Sequence, residues 1–474
     1  MQSKKKILIF IHFDTYFDNL FGVGKAIKGS EDFEPVLIFP QMYAKIQNHL
    51  SLCLSEGIVC IDPSGKKITS DTVTSYSFGP KKIKTKRLRS YIPAFIKDPI
   101  NDLRRLFSRI SFLKNRMTFV RNLIHSENIS LIVLGGDIVG HDMPAIIKAG
   151  NLEKVPTMAV VSWLGEYEAA SIYSSVPAHQ ITSIPKFLIA KIYSKWVHSY
   201  EDKSILRLPA PDLLALEWLD IAPPSPWILH SGFLDAIAVE GEEMRQAAIK
   251  MGLPNEKVFA TGSIFNDQMA KDLESRDTII NKLYQQLDIP LGRPMLLSAL
   301  PPDFLYAVSG TPQCPQSDFK NYRELVEFWI KSLAQVKNHN VVICLHPSTS
   351  YQDMKYIEEW GVKIALDKTS DLVPLCDLYV ASISATINWA ISCGVPVLNY
   401  DVYRYRYSDY LHAGGVITTE EQAEFVSNLQ KLTSDSTYFD KFKDLQNNQK
   451  EKWAKLDGQS GQRILNVIQK LINN

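Results

Sequence analysis

The chain lacks the features that mark several broad classes of protein. It has no run of about 18 apolar residues, so no transmembrane helix is expected. Its six cysteines form no Cys-x-x-Cys pair, which indicates small buried thiols in a reducing compartment. His12 and Asp14 interrupt the first apolar stretch, which is therefore predicted to be a β-strand rather than a signal peptide. We accordingly expect a cytoplasmic protein.

A strong net charge is also missing. Lysine and arginine total 52 against 51 acidic residues, and this balance argues against a protein that coats nucleic acid. It conceals one basic segment, Lys81–Arg116, which contains twelve basic residues and two acids. We predict that this segment attaches the protein to an anionic membrane surface, at about 1 kcal/mol per basic residue near the bilayer. A solvated helix face is the alternative. The predicted location is cytoplasmic, and peripheral on the inner face of the membrane.

Motifs for metals and for common cofactors are absent as well. The sequence contains no HExxH motif, no Cys/His cluster, and neither GxGxxG nor GxxxxGK[ST]. We therefore predict no metal site, no P-loop and no bound cofactor.

The chain does contain a regular alternation of short β-branched apolar runs and longer amphipathic stretches. This pattern predicts an α/β protein in which parallel strands are joined by crossover helices. A hinge-like break at 290–294 divides it into two arrays, and we predict domains at 1–290 and 291–474. Insertions at about 81–117 and 176–232 interrupt the first array. We expect a pair of surface helices in the earlier insertion and one or two helices in the later one.

Polar residues follow two strands of the second array. Open parallel sheets bind ligands at the carboxyl ends of their strands, and hydroxyl residues at a helix start can cap its amides or help to bind phosphate. We therefore predict a phosphate-binding site here, although each residue taken alone is also explained as a helix cap or an ordinary loop residue. The residues concerned are His346, Pro347, Ser348, Ser382, Ser384 and Thr386.

Two further positions of the second array are candidates for the same site. Ser298 lies at the end of the array's first predicted strand. Arg404 lies in a loop of alternating arginine and tyrosine, a composition that can clamp a phosphate or stack on a base. A strand with a solvated face explains this second pattern equally well.

Three strand ends of the first array also offer chemistry. Asp137 and His141 lie among glycines after a strong strand, and either side chain suits a general base. The alternative is that Asp137 caps the next helix. His12 and Asp14 follow the first strand. Glu166 follows a later strand and is a candidate to face a sugar, although a structural loop is the favoured interpretation there.

The segments His346-Pro347, Ser382–Thr386 and Gly394–Tyr400 together resemble the donor half of GT-B glycosyltransferases. They are similar to motifs of bacterial transferases that use CMP-sialic acid, CMP-Kdo or CDP-glycerol. The Gly-x-Pro-Val strand also resembles UDP-N-acetylglucosamine 2-epimerases. The resemblance covers about residues 235–415. It implies two Rossmann-like domains facing across a cleft, with C-terminal helices that cross back to the first domain and no metal needed for the chemistry.

The same resemblance implies where the substrates bind. The C-terminal domain would hold the nucleotide sugar and the N-terminal domain the acceptor. Gly22 and Gly24 would belong to a glycine-bearing loop after the first strand, where backbone approaches donor phosphate or acceptor. One departure is that residues 387–391 contain no carboxylate, whereas many UDP-sugar transferases have a ribose-binding glutamate there. This departure favours a CMP-type donor.

The resulting hypothesis is a glycosyltransferase. It would move a sugar from a CMP- or UDP-activated donor to a cell-surface glycan or glycolipid, such as capsule or lipopolysaccharide. A UDP-N-acetylglucosamine 2-epimerase is the first alternative, since it has the same fold and needs no acceptor. A non-enzymatic, two-lobed sugar-binding protein without nucleotide affinity is the second.

Overall fold

The computed structural model describes residues 4–41, 43, 45–75, 94–161, 169–306, 314, 316–346 and 349–473. The chain divides into two units, each built from more than one segment. Unit 1 comprises Met1–Val239, Ala248–Phe259 and Gly461–Asn474, and unit 2 comprises Glu240–Ala247 and Ala260–Ser460.

The described residues contain strands and helices in close alternation, with short 3₁₀ turns between them. The strands are β1 (Lys5–Phe10), β2 (Phe33–Ile38), β3 (Val59–Ile61), β4 (Lys67–Ile68), β5 (Ile129–Leu134), β6 (Thr157–Val160), β7 (Val197–Tyr200), β8 (Lys203–Leu206), β9 (Ala236–Val239), β10 (Val258–Ala260), β11 (Met295–Ala299), β12 (Asn340–Cys344), β13 (Lys363–Ala365), β14 (Leu378–Ala381), β15 (Val397–Tyr400) and β16 (Val416–Thr419). The helices are α1 (Phe17–Gly29), α2 (Ile46–Ser55), α3 (Ala94–Glu127), α4 (Met143–Leu152), α5 (Ala169–Ser174), α6 (Ile184–Ile192), α7 (Ala210–Trp218), α8 (Glu242–Met251), α9 (Ile264–Glu274), α10 (Arg276–Leu287), α11 (Tyr322–Leu333), α12 (Tyr351–Met354), α13 (Thr369–Leu372), α14 (Thr386–Ser392), α15 (Gln422–Ser434), α16 (Ser436–Asn447), α17 (Lys450–Trp453) and α18 (Ser460–Asn473).

The sheet of unit 1 has the strand order β10-β9-β6-β5-β1-β2-β3-β4. β1 lies between β2 and β5 and is parallel to both, and β4 at one edge runs antiparallel to β3. The inner strands are continuously apolar because helices cover both faces of such a sheet, and Ile7–Ile11 is fully buried. The strand order reverses between β1 and β5.

The sheet of unit 2 has six strands in the order β13-β12-β11-β14-β15-β16, all parallel. This is the strand order of a Rossmann sheet, and the order reverses between β11 and β14. Each face is covered by its own apolar cluster, one around Trp329 and Phe425 and the other around Tyr284 and Tyr379. The prediction of an α/β fold with two Rossmann-like domains is confirmed.

The division of the chain differs from the boundary predicted at residue 290. α9 and α10 belong to unit 2, because Leu283 and Tyr284 of α10 pack against Met295 and Leu297 of the second sheet. The chain therefore passes from unit 1 to unit 2 mainly at about residues 240–260. Of the predicted returning helices, the segment Gly461–Asn474 belongs to unit 1.

Both insertions also differ in detail from the expectation. Residues 94–127 form the single long helix α3 instead of a helix pair, and 81–93 lie outside the described residues. The insertion at 176–232 contains the helices α6 and α7, as predicted. It also contains the two-stranded antiparallel sheet β7–β8, which proline punctuation gave no reason to expect.

The two glycines expected in a loop after the first strand lie inside a helix. α1 begins at Phe17, so Gly22 and Gly24 are buried helical residues. A Cβ added to Gly24 would lie 3.3 Å from Leu37 Cδ1 and 3.6 Å from Ile9 Cδ1. Gly24 thus allows α1 to pack closely on β1 and β2, and the prediction of a glycine-bearing loop is wrong.

Candidate functional site

The chemistry of unit 1 lies where its strand order reverses, at the carboxyl ends of β1 and β5. Parallel sheets bind ligands at this kind of position because the two flanking loops diverge there. His12 follows β1 and Asp137 follows β5, and both side chains are buried. The structure therefore brings these two predicted site residues to one edge of one sheet.

Asp137 is held in an apolar setting. It is 4% exposed, and burial raises the pKa of its carboxyl to about 7, although the Gly232 backbone opposes this by hydrogen bonding to it. Among the described residues, its Oδ1 has no hydrogen-bond partner. A carboxyl with a pKa near neutrality and an unused oxygen can accept a proton.

Small residues make room for this carboxyl. A Cβ on Gly232 would lie 1.9 Å from Asp137 Oδ2, and one on Gly136 would lie 2.8 Å from His230 Cε1. His230 is buried in the left-handed backbone region at φ 62°, and its Nδ1 accepts a hydrogen bond of 2.9 Å from the Asp137 amide. These two glycines are therefore required by close packing around Asp137.

A buried group of ionisable side chains lies in the loops after the same two strands, β1 and β5. His12 Nε2 is 3.1 Å from Asp142 Oδ1, and Arg116 Nε is 2.7 Å from Asp142 Oδ2. Burial alone would raise the pKa of Asp142, but His12 and Arg116 lower it to about 2. The His12 imidazole therefore lies within ion-pair distance of an ionised carboxylate, while neither of its nitrogens has a hydrogen-bond partner among the described residues.

His141 and Asp14, the other two site residues predicted in this part of unit 1, have different surroundings. Burial, together with the charge of His12, lowers the pKa of His141, whose ring packs edge-on against Phe13 at 4.8 Å. Asp14 is partly exposed, and its oxygens lie 3.5 Å from Lys45 Nζ and 3.6 Å from His49 Nε2. Asp14 therefore has an ion-pair environment near the surface, while His141 adjoins the buried cluster.

In unit 2 the strand order reverses between β11 and β14, and hydroxyl groups lie at the end of β14. Ser384 Oγ is 2.7 Å from Thr386 Oγ1, and the Thr386 amide donates to Ser384 Oγ at 3.3 Å. Ser382 is buried, and its Oγ has no hydrogen-bond partner within the described parts of the chain. Ile383 between them has a φ of 45°, and its amide donates to Asn399 Oδ1 at 2.9 Å.

Contacts between loops connect His346 to the same edge. Burial lowers the pKa of His346, which therefore favours the neutral imidazole. Its ring lies 6.4 Å from that of Phe304 in the loop after β11, and Phe304 in turn lies 5.8 Å from Tyr403 in the loop after β15. The Tyr410 hydroxyl donates to the Ser384 carbonyl at 3.1 Å. The loops after β11, β12 and β15 thus meet, and the loop after β15 also contacts the end of β14.

Comparison with known proteins supports the architecture. No family model and no curated protein matches the sequence. Among solved structures, the chain is similar to a UDP-GlcNAc 2-epimerase from Neisseria meningitidis bound to UDP-GlcNAc, at 12% identity and a TM-score of 0.53, covering 98% of this chain and all of that one. It is also similar to the wall teichoic acid polymerase TagF, at 10% identity and a TM-score of 0.51 over 99% and 89% of the two chains. A glycosyltransferase from Rickettsia africae matches at 10% identity and a TM-score of 0.50 over both full chains.

The chain has the GT-B fold. Within the described residues of this GT-B chain, no group of three or more His, Cys, Asp or Glu side chains is placed to hold a metal ion. Over the same residues, no helix is long and apolar enough to cross a membrane.

Two residues of the GT-B chain that were predicted to bind the nucleotide sugar are engaged by other side chains of the protein. Ser298 is completely buried, and its Oγ accepts a hydrogen bond of 2.9 Å from Trp329 Nε1. Arg404 forms ion pairs of 3.0 Å with Asp318 and 3.1 Å with Glu421. Ser298 is thus a core residue, and the guanidinium of Arg404 is already neutralised by two carboxylates, so neither position fits the predicted contact with phosphate.

Some predicted residues cannot be compared with the structure. Pro347, Ser348 and Glu166 lie outside the described residues, as does the first part of the basic segment, 81–93.

Sequence reasoning missed three buried groups. Glu240 directly follows β9, so a carboxylate at a strand end was the available signal there, and Asp142 lies in the same loop after β5 as the predicted Asp137. Glu240 is 1% exposed, and burial raises its pKa to about 7, while Trp389, Asn388 and Ser263 oppose this by hydrogen bonding to it. His230 had no such signal, because it lies in an irregular, proline-rich segment.

Proposed function

We propose that the chain is a glycosyltransferase whose unit 2 binds a nucleotide-sugar donor and whose unit 1 binds the acceptor. The observation on which this proposal depends is the position of His346 and of Ser382–Thr386 around the reversal point of a Rossmann-ordered sheet. Such positions bind nucleotides in open α/β sheets. The GT-B fold supports the proposal, since its solved examples include a glycosyltransferase and a protein with UDP-GlcNAc bound.

The nucleotide-sugar substrate is proposed to contact unit 2 through uncharged side chains that donate and accept hydrogen bonds. Ser382 supports this role because its buried Oγ lacks a partner among the residues described, and a buried hydroxyl without one is costly in the free protein. His346 would donate one hydrogen bond to the diphosphate or to the leaving phosphate. α14 has only seven residues, so the hydroxyl groups rather than its dipole are the basis of the proposed site.

In unit 1, Asp137 is proposed as the general base. At neutral pH a carboxyl with a pKa of about 7 is partly ionised and can take the proton of an acceptor hydroxyl. The acceptor oxygen then forms a bond to the anomeric carbon, while the bond from that carbon to the donor phosphate breaks and the phosphate leaves with its electrons. His12, which lies 3.1 Å from Asp142 and has no hydrogen-bond partner among the described residues, is proposed to contact the acceptor.

A 2-epimerase is the second candidate. It is favoured by the similarity to the Neisseria meningitidis enzyme, which matches over its whole length. Such an enzyme needs no acceptor, so its product would form from the nucleotide sugar alone.

The acceptor is proposed to be a cell-surface glycan on a lipid carrier, reached from the cytoplasmic face of the membrane. The segment Lys81–Arg116 supports this, since its charge would hold the protein near anionic lipid.

The first experiment is a thermal-shift panel with CMP, CDP, UDP, GDP and ADP. A nucleotide at a hundred times its Kd should stabilise the protein by about 2.7 kcal/mol. A response to one base would support the donor site and select the sugars to test. Incubation of the matching nucleotide sugar without acceptor, followed by NMR, then separates the two enzymes: epimerisation would contradict transfer. The absence of any response would favour a sugar-binding protein without nucleotide affinity.

A further inference from the structure

The outer face of α6 in unit 1 is apolar. Ile184, Phe187, Leu188 and Ile192 are 78%, 63%, 54% and 71% exposed, and they follow the i, i+3, i+4, i+8 spacing of one helix face. Surface helices normally direct such a stripe to the core and leave polar residues outside. Here the stripe faces away from the protein, which indicates that something else covers it.

The helix is fixed in this orientation. Ala190 on the opposite side is buried in an apolar cluster that also contains Trp196 and Leu213. The Lys186 ammonium donates to three backbone carbonyls, those of Pro177, Ala178 and Gln180, at 3.0, 3.0 and 2.9 Å. α6 is therefore anchored from within and cannot roll its outer face inward without breaking these contacts.

The long helix α3, a neighbour of α6, also exposes apolar side chains. Its residues Ile100, Leu103 and Phe107 are exposed at i, i+3 and i+7, while Leu106 and Ile110 pack on the same apolar cluster as Ile189 of α6. Asp102 acts electrostatically on Lys186, so the two helices are neighbours. We call the exposed side chains of Ile184, Phe187, Leu188, Ile192, Leu103 and Phe107 the α6–α3 face.

Basic residues outnumber acidic ones beside this face. Residues 169–200 contain three lysines and no acid, and α3 carries Arg104 and Lys114 on its exposed side, together with the exposed acid Asp102 near Lys186. The two acids of the neighbouring helix α7 are in ion pairs, Asp212 with Arg105 and Glu217 with Lys195. An apolar stripe with a basic border complements the headgroups and outer acyl region of an anionic bilayer.

The size of the helix also favours a bilayer over a protein. Nine residues span only about 14 Å, and a helix is about 10 Å wide. A stable protein interface needs about 800 Å² from each partner, which α6 and the first turns of α3 do not supply. An interfacial helix needs to bury only its apolar face in lipid.

We propose that the α6–α3 face inserts into the surface of an anionic bilayer. This deepens the proposed attachment to a membrane, which otherwise depends on the charge of Lys81–Arg116. The proposal names the side chains that make the apolar contact with the bilayer. It does not depend on the proposed donor site.

The test is sedimentation of the full chain with vesicles of phosphatidylcholine alone and with an equimolar phosphatidylcholine–phosphatidylglycerol mixture. We expect binding to the mixture, and about thirty-fold weaker partition for the double variant Phe187→Ser/Leu188→Ser. The matched control is Leu366→Ser/Leu411→Ser, which removes two side chains that are 75% and 68% exposed in unit 2, and it should change partition less than twofold.

A charge variant, Arg104→Glu/Lys114→Glu, separates this proposal from the electrostatic one. If the charge variant loses binding and Phe187→Ser/Leu188→Ser does not, attachment is purely electrostatic and the α6 proposal is wrong. If the wild type binds neither vesicle, both membrane proposals fail. If the Phe187/Leu188 variant instead turns a dimer into a monomer in sedimentation velocity, the face joins two copies of this chain. The nucleotide panel on the same variants reports the donor site separately.

Discussion

Among the described residues, unit 1 and unit 2 each contain one buried carboxyl whose pKa burial raises to about 7, and the two differ in what surrounds them. Glu240 in unit 2 accepts hydrogen bonds from Asn388 Nδ2 and, at 3.2 Å, from Trp389 Nε1, so both of its oxygens are used. Asp137 in unit 1 has one oxygen without a partner in the described chain and lies at the reversal point of its sheet. A raised pKa therefore does not by itself identify a catalytic group. The unused oxygen is what distinguishes Asp137 from Glu240.

The largest effect that would test this comparison is expected for Asp137→Asn. Removing a general base typically lowers turnover by 10²–10⁴, and we expect about 10³. The wild-type rate should rise with pH through about 7, because the base must be ionised, whereas the variant should show no such rise. The measurement is kcat/KM against pH, with Glu240→Gln as the control, whose rate should stay within about threefold of wild type. Equal losses in the two variants would remove the distinction.

Glu240→Gln should instead change how stability depends on pH. The unfolded chain releases this proton near the ordinary pKa of 4.5, while the folded chain holds it to about 7. The folded state binds more protons between these values, so the free energy of unfolding should fall as pH rises from about 4.5 to 7, by up to about 3 kcal/mol from this group. Urea unfolding at several pH values should show a smaller fall for Glu240→Gln. An unchanged slope would mean that Glu240 is ionised throughout.

His346→Ala tests whether the chemistry of unit 2 lies in the loops at the carboxyl ends of its strands rather than at Glu240. We expect turnover to fall by about 10² because the leaving phosphate loses a hydrogen-bond donor, while the melting temperature stays near that of wild type. Steady-state rates and thermal unfolding of the same preparation check both. Retained activity would show that the donor site is assigned wrongly.

The smallest effects come from two serines at neighbouring strand ends of unit 2. Ser382→Ala should weaken binding of the responding nucleotide by about fivefold and raise the free energy of unfolding by about 1 kcal/mol, since its buried Oγ has no partner in the described structure and is costly in the free protein. Ser298→Ala should leave the nucleotide Kd unchanged and lower the free energy of unfolding by about 1 kcal/mol, because the indole of Trp329 loses its acceptor. Calorimetry and urea unfolding of both variants give the two quantities. If the serines exchanged these roles, the assignment of the site to the end of β14 would be wrong.

The sequence predicted the regular parts of this molecule for a physical reason. Strands such as β1 and β12 are apolar on both faces, and that pattern is visible without a structure. The strand ends after β5 and β14 followed directly. The helical position of Gly24 was not predictable, because a glycine that allows close packing and one that allows a turn look the same in a sequence.

Partners from distant segments were equally hidden. The sequence around Ser298 does not indicate that Trp329 donates a hydrogen bond to its hydroxyl. The sequence around Arg404 does not indicate its ion pairs with Asp318 and Glu421. His230 reaches Asp137 across 93 positions from an irregular segment. Residue type indicates which chemistry is possible, but only the fold shows which side chains are already engaged.

The segmented makeup of unit 1 has a consequence for biosynthesis. Its last segment, Gly461–Asn474, is translated after all of unit 2, yet α18 packs in unit 1, with Lys470 Nζ 5.0 Å from the centre of the Phe259 ring. Unit 1 is therefore incomplete until after all of unit 2 has been translated. An isolated unit 1 for biophysical work would need that helix grafted after Phe259 rather than a simple truncation.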